Sequence, residues 1–334
     1  MYYRHNLDYT YPERSDEHML ELDRPKPVVL DENFDYVPRG FWFRVKRFLV
    51  AILLHLIVFP IMHLTHGLRI YGRENLKKHK KELKGGAITV SNHVFMWDYL
   101  CVLKAIRPHI SYFPAWRANY ESGFQPFMRI LGAMPIPEGD IHAMIKFKHG
   151  MDEVVESDRW LHVFAEGSLW YFYPDIRPLK PAVFTYAVKY NKPLIPISMS
   201  FRPRKGFRKL FGKGPFVDLH IAEPIYADHS LPMHEAVEEL RARAYKIMQE
   251  MNGILPGDPT YNEDQCIEHY RCTMRTSGAG CTCLSSEECA DAEARGCVVT
   301  DSAASEIPDR DSHASEGDAT AESREECAVT SGEI

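Results

Sequence analysis

Cysteine is nearly missing from the first 256 residues of this 334-residue chain. Cys101 stands alone there, and the other seven of the eight cysteines fall between 266 and 327. The main body is therefore not a disulfide scaffold. The tail has no Cys-x-x-Cys pair: its nearest two, Cys281 and Cys283, have one residue between them. That spacing disfavours a structural zinc site and leaves an unstructured or redox-active tail. Nucleotide-binding glycine motifs are also missing, since neither Gly-x-x-x-x-Gly-Lys-[Ser/Thr] nor Gly-x-Gly-x-x-Gly occurs. Residues 1–38 contain no apolar leader, so no secretory signal is expected, and a cytosolic-side location is the simplest reading. No dense basic stripe points to nucleic acid.

Charge is distributed unevenly. The whole chain carries a net −6, but residues 257–334 hold 18 acidic and 5 basic side chains, a net of −13. The first 256 residues are thus at +7, which suits anionic partners such as phosphates, coenzyme A or anionic lipid heads. Residues 1–40 are rich in Tyr, Asp, Glu and Pro and read as an extended or loosely packed arm. Residues 41–68 begin with Trp42, Phe43, Arg44, Lys46 and Arg47 and continue as an apolar run over 48–64. Aromatic and basic residues beside such a run fit a membrane-associated helix. His55, Pro60 and His63 inside it favour a monotopic or re-entrant segment over a clean crossing. A buried helix of a soluble fold is the alternative.

From 69 to 256, short apolar runs at 87–91, 110–114, 161–165, 194–200 and 217–222 alternate with helical stretches at 141–156, 182–190 and 233–251. This predicts an α/β domain with a mostly parallel central sheet flanked by helices. Beyond 257 large apolar residues are few, and a disordered acidic tail is expected.

Four segments carry candidate chemistry. Asn92-His93 with Asp98 follows a predicted strand, where α/β sheets place their sites. His is the side chain best suited to accept a proton near neutral pH, and a carboxylate can fix its tautomer. Five positions apart on one helix the two would diverge by about 140°. They meet only if His93 precedes the helix and Asp98 reaches back; a surface His beside a capping Asp is the structural alternative. Glu166-Gly167-Ser168 ends another strand, Arg177 and Lys180 precede a helix where they could hold a phosphate, and Leu194-Ile195-Pro196-Ile197 reads as a strand able to wall an acyl pocket. A plain turn, a solvated charge pair and a core strand are the alternatives.

In this order the four segments resemble the glycerolipid acyltransferase family, which includes bacterial 1-acyl-glycerol-3-phosphate acyltransferases. The resemblance covers about 68–251. It implies acyl transfer from acyl-CoA or acyl carrier protein to a lysophospholipid hydroxyl, with no metal or bound cofactor. His93 would be the base, Asp98 its orienting partner, and Asn92, Glu166, Gly167, Ser168, Arg177 and Lys180 the substrate-binding set. Two departures stand out: Glu138 and Leu169 occupy places where the family carries Arg. Lys146, Lys148, Arg177 and Lys180 are candidates to restore the missing charge. Two rivals remain. One is a hydrolase using Ser168, although Gly-x-Ser-x-Gly is absent. The other is an inactive lipid-binding protein with a partner-binding tail.

Overall fold

The computed structural model describes residues 7, 9–14, 17–19, 22–123 and 125–254. All of these belong to one compact unit, 1–267. The expected disordered tail, with its seven cysteines, lies outside the described residues.

The chain first forms one long helical segment: α1 (Phe41–Leu53), a π-turn (Leu54–Val58) and α2 (Phe59–His66). Pro60, near the start of α2, has no N–H to donate backward, and the wider turn just before it accommodates that gap. Next come β1 (Arg69–Tyr71), α3 (Arg73–Lys78) and β2 (Ile88–Ser91). They are followed by α4 (Asp98–Ala105), β3 (Ser111–Ala115), α5 (Arg117–Glu121), α6 (Gln125–Leu131) and β4 (Ala133–Pro135). Then α7 (Ile141–Glu156), β5 (Trp160–Phe164), α8 (Ala182–Lys189), β6 (Leu194–Arg202), a 3₁₀ turn (Gly206–Phe211), β7 (Phe216–Ile221) and α9 (Met233–Met251) complete the order. The start of α7 shows how local sequence sets an element: the Asp140 carboxylate accepts from the backbone N–H groups of His142 (2.8 Å) and Ala143 (3.2 Å).

The strands form one seven-stranded mixed sheet in the order β1-β7-β6-β2-β5-β3-β4. Every neighbouring pair is parallel except β6 with β7. No crossover helix separates β6 from β7, so β7 returns antiparallel. Helices cover both faces. One core layer joins Ile195, Ile197 and Met199 of β6 to α4 and to Leu54, Phe59 and Met62 of the long helical segment. The other joins Ile88, Val90 and Leu161 to α7, α8 and α9. Burial on both faces explains why the central strands read as continuous apolar runs rather than alternating ones.

Before Phe41 the described residues form no helix or strand. The arm is held closely all the same: Tyr11 stacks on Trp170 (5.7 Å between ring centres), His18 on Trp116 (4.1 Å), and Lys26 N–H donates to the Glu121 carbonyl (3.2 Å). Its aromatic rings stack against rings of the body, which a polar reading of the segment does not anticipate.

Candidate active site

The site forms where β2 and β5 end side by side. Asn92 follows β2 and is fully buried; its amide donates to the Met199 carbonyl (2.9 Å) and accepts from Met199 N–H (2.8 Å). Both ends of that amide are engaged by β6, so Asn92 fixes the loop's exit from the sheet rather than facing a cleft. The loop then carries His93, and α4 starts at Asp98. His93 Nδ1 lies 2.5 Å from Asp98 Oδ2. The same oxygen accepts from Val94 N–H (3.1 Å), while Oδ1 accepts from Tyr99 N–H (2.7 Å). Asp98 is 1% exposed, and these donors offset the cost of burying its charge. The His93 ring also stacks on Phe164 of β5, with centres 4.0 Å apart and planes 15° from parallel. One ring nitrogen and one ring face are thus fixed, and Nε2 is the nitrogen available for proton transfer. The His93 side chain keeps 20% exposure.

Glu166 sits just past β5 and is buried. Its carboxylate accepts from His93 N–H (3.0 Å), Arg177 N–H (2.8 Å) and the Arg177 guanidinium (2.8 Å). Arg177 also donates to Ser168 Oγ (2.7 Å) and to the Ser168 carbonyl, and it lies over the Trp170 ring. Glu166, Ser168 and Arg177 therefore form one buried polar knot that holds the His93 loop. Arg177, expected as a phosphate contact, is 3% exposed and bonded within this knot. Ser168 is 1% exposed, which removes the geometric basis for a serine nucleophile. Gly167 turns with φ +89°, and a Cβ there would come within 2.8 Å of the Lys180 side chain. Only a glycine lets that ammonium chain cross so closely. Lys180 is half-buried and lies beside the knot, while its N–H donates to the Ala165 carbonyl (2.7 Å). Trp170 N–H and Phe172 N–H donate to the carbonyls of His93 (3.1 Å) and Val94 (2.7 Å), closing the loop from its other side.

Beneath the site, His162 of β5 is fully buried between Thr89 Oγ1 (2.9 Å) and Ser91 Oγ (3.4 Å). Burial, with the neighbouring His93 adding to it, pushes its pKa down to about 3, so it stays neutral. Sequence reasoning missed both His162 and Phe164. Each sits inside an apolar run, and only the strand register between β2 and β5 places them at the site. Cys101 is fully buried in α4, and burial pushes its thiol well up, which makes it inert. Glu138, where the resemblance expects Arg, pairs with Arg24 of the arm at 2.7 Å. Lys146 and Lys148 lie on α7, half-buried and exposed respectively.

Residues 67–200 match the family model described as Acyltransferase. Among solved structures, the 1-acyl-sn-glycerophosphate (LPA) acyltransferase PlsC from Thermotoga maritima is similar at 18% identity and a TM-score of 0.39. That similarity covers 65% of this chain and 88% of that one. No curated protein matches the chain.

Proposed function

We propose that this chain, whose residues 67–200 match the family model described as Acyltransferase, is an acyltransferase enzyme of the glycerolipid type that moves a fatty acyl group from acyl-CoA or acyl carrier protein onto a lysophospholipid hydroxyl. The acceptor suggested by the resemblance is 1-acyl-glycerol-3-phosphate. The observation that carries the mechanism is the 2.5 Å contact between His93 Nδ1 and the buried Asp98 carboxylate. With Nδ1 committed to Asp98, Nε2 takes the hydroxyl proton as the acceptor oxygen attacks the thioester carbonyl. The tetrahedral intermediate collapses, the C–S bond breaks, and the imidazolium returns its proton to the leaving sulfur. Backbone N–H groups at the strand ends stabilise the oxyanion. A thioester is already activated, so the reading calls for no metal or resident cofactor. On the acceptor side, Gly167 and Lys180 are the groups best placed to meet a headgroup, because Asn92, Glu166, Ser168 and Arg177 are bonded to one another or to the backbone.

The same reading puts the enzyme on the cytoplasmic face of a membrane as a monotopic protein. The helical segment 41–66 is long and apolar enough to cross a bilayer. Its inner face packs Leu54, Phe59 and Met62 into the core, while Phe48, Leu49, Leu56, Ile57 and Ile61 on the opposite face are exposed. One end contacts the body through Arg47 and Tyr112 and the other through the 3₁₀ turn at Gly206–Phe211. A helix held to one domain at both ends lies in the interface rather than across it. Phe207, Leu210 and Phe211, exposed beside Arg208 and Lys209, extend that surface. The test is mass spectrometry of products from the purified protein given a panel of lysolipids and both donor types. Acylated lysophosphatidate supports the full reading, acylation of another lysolipid moves the acceptor alone, and no acylated lipid from any pair refutes it.

A further inference from the structure

A cavity of about 400 Å³ lies at the opposite end of the sheet from His93. β2, β5 and β3 run parallel, His93 follows the carboxyl end of β2, and the cavity lies beside Tyr112 near the start of β3 and Arg159 just before β5. Its walls hold four arginines, Arg39, Arg44, Arg47 and Arg159, together with Tyr112 and Phe43. Arg47 and Arg159 both lie over the Tyr112 ring, 4.7 and 5.6 Å from its centre. Arg47 also donates to the Tyr112 hydroxyl (3.1 Å). The carboxylate paired with these guanidinium groups is Glu153, 2.5 Å from Arg39 and 3.9 Å from Arg159. Among the described residues, one paired acid against four guanidinium groups leaves a local charge of +3. Arg47 Nε and Arg159 Nη1 are buried and lack hydrogen-bond partners. Helix α1 starts beside this cluster: Gly40 offers no side-chain cap and the first turn has no acid, so the positive end of the helix dipole adds to the field.

Like charges gathered this closely repel, and donors buried without partners are costly. The repulsion is relieved by an anion with several oxygens. A carboxylate has two oxygens and one plane, whereas a phosphate presents three or four around a tetrahedron and can face guanidinium forks from several sides. We propose that this pocket binds a phosphate group, carried either by a lipid headgroup at the membrane surface or by a soluble phosphate compound. The site is separate from the His93 site and does not depend on the acyl-transfer reading, so its test reads binding alone.

The full-length protein in detergent is titrated with inorganic phosphate, with chloride of equal ionic strength as reference, and the unfolding midpoint is followed. In parallel the protein is floated with phosphatidylcholine vesicles with and without phosphatidic acid. The wild type is expected to gain stability from phosphate beyond the chloride effect. The double variant Arg44→Gln with Arg159→Gln, at positions outside the buried core, should weaken phosphate binding about tenfold or more. Arg47→Lys keeps the charge but removes the planar fork; it should reduce the gain from phosphate measured relative to its own midpoint in chloride. Loss in both arms supports a lipid phosphate, and loss in the soluble arm alone supports a soluble phosphate compound. A wild-type response no larger than with chloride, or one unchanged in the double variant, overturns the site.

Discussion

The strand ends around His93 and the outer face of the 41–66 helix break the usual inside–outside rule in opposite directions. At the strand ends Asp98, Glu166, Ser168 and Arg177 are buried; on the helix Phe48 and Leu56 are 66% and 72% exposed. Buried charges are tolerated when each is met by a partner, and here Asp98 meets His93 while Glu166 meets Arg177. The exposed apolar face has no partner among the described residues of the protein. On the proposed function its complement is a lipid phase, where such a face is favoured. On the proposed function, one region is polar because it holds a reacting imidazole in place, and the other is apolar because it brings that imidazole to its substrate.

Substitutions can separate the two roles. The largest effect is expected from His93→Ala, which should lower kcat for acyl transfer by about 10²–10⁴-fold with circular dichroism unchanged. Asp98→Asn should cost about 10²-fold or more through loss of the tautomer preference, and its kcat against pH should change along with it. Arg177→Ala attacks the scaffold instead: it leaves Glu166 buried and unpaired, so urea unfolding should show a loss of about 3–5 kcal/mol. On the other region, Leu56→Asp should weaken vesicle binding by about tenfold or more, given roughly 1.5–3 kcal/mol for burying one Leu. Activity toward a substrate dissolved in detergent should persist in that variant. Truncation at residue 66 is a poorer probe, because it removes Leu54, Phe59 and Met62 from the core. At neutral pH the smallest effect concerns His162. Its pKa falls from 6.5 in the unfolded chain to about 3 when folded, so the unfolded state binds the proton more readily. Stability should be unaffected above pH 6.5 and should fall as pH drops from there toward 3, by up to about 1.4 kcal/mol per pH unit. His162→Gln should flatten that slope in pH-dependent unfolding.

Much of the frame is legible in the sequence. The stretches 141–156 and 233–251 form helices with those bounds, and the five apolar runs all become strands. The edge strands β1 and β4 escape notice because three residues cannot show a period. Helices α5 and α6, of five and seven residues, fail for the same reason. At the site, five-residue spacing together with a preceding strand is enough to say how His93 and Asp98 must be arranged if they are to meet. The pairing of Arg177 with Glu166 and of Arg24 with Glu138 is not legible, because long-range ion pairs leave no local pattern. The arginine pocket is hidden similarly: Arg39, Arg44 and Arg47 form a visible cluster, but Arg159 joins them only through the sheet.

On the proposed function, an imidazole held by Asp98 removes the proton from a lipid hydroxyl while a thioester gives up its acyl group. Free thiol released from an acyl thioester by the purified protein, measured with and without lysolipid, tests this directly. Release should require the lysolipid and be abolished by His93→Ala. Release that proceeds equally without an acceptor, or that survives intact in a folded His93→Ala protein, would contradict it.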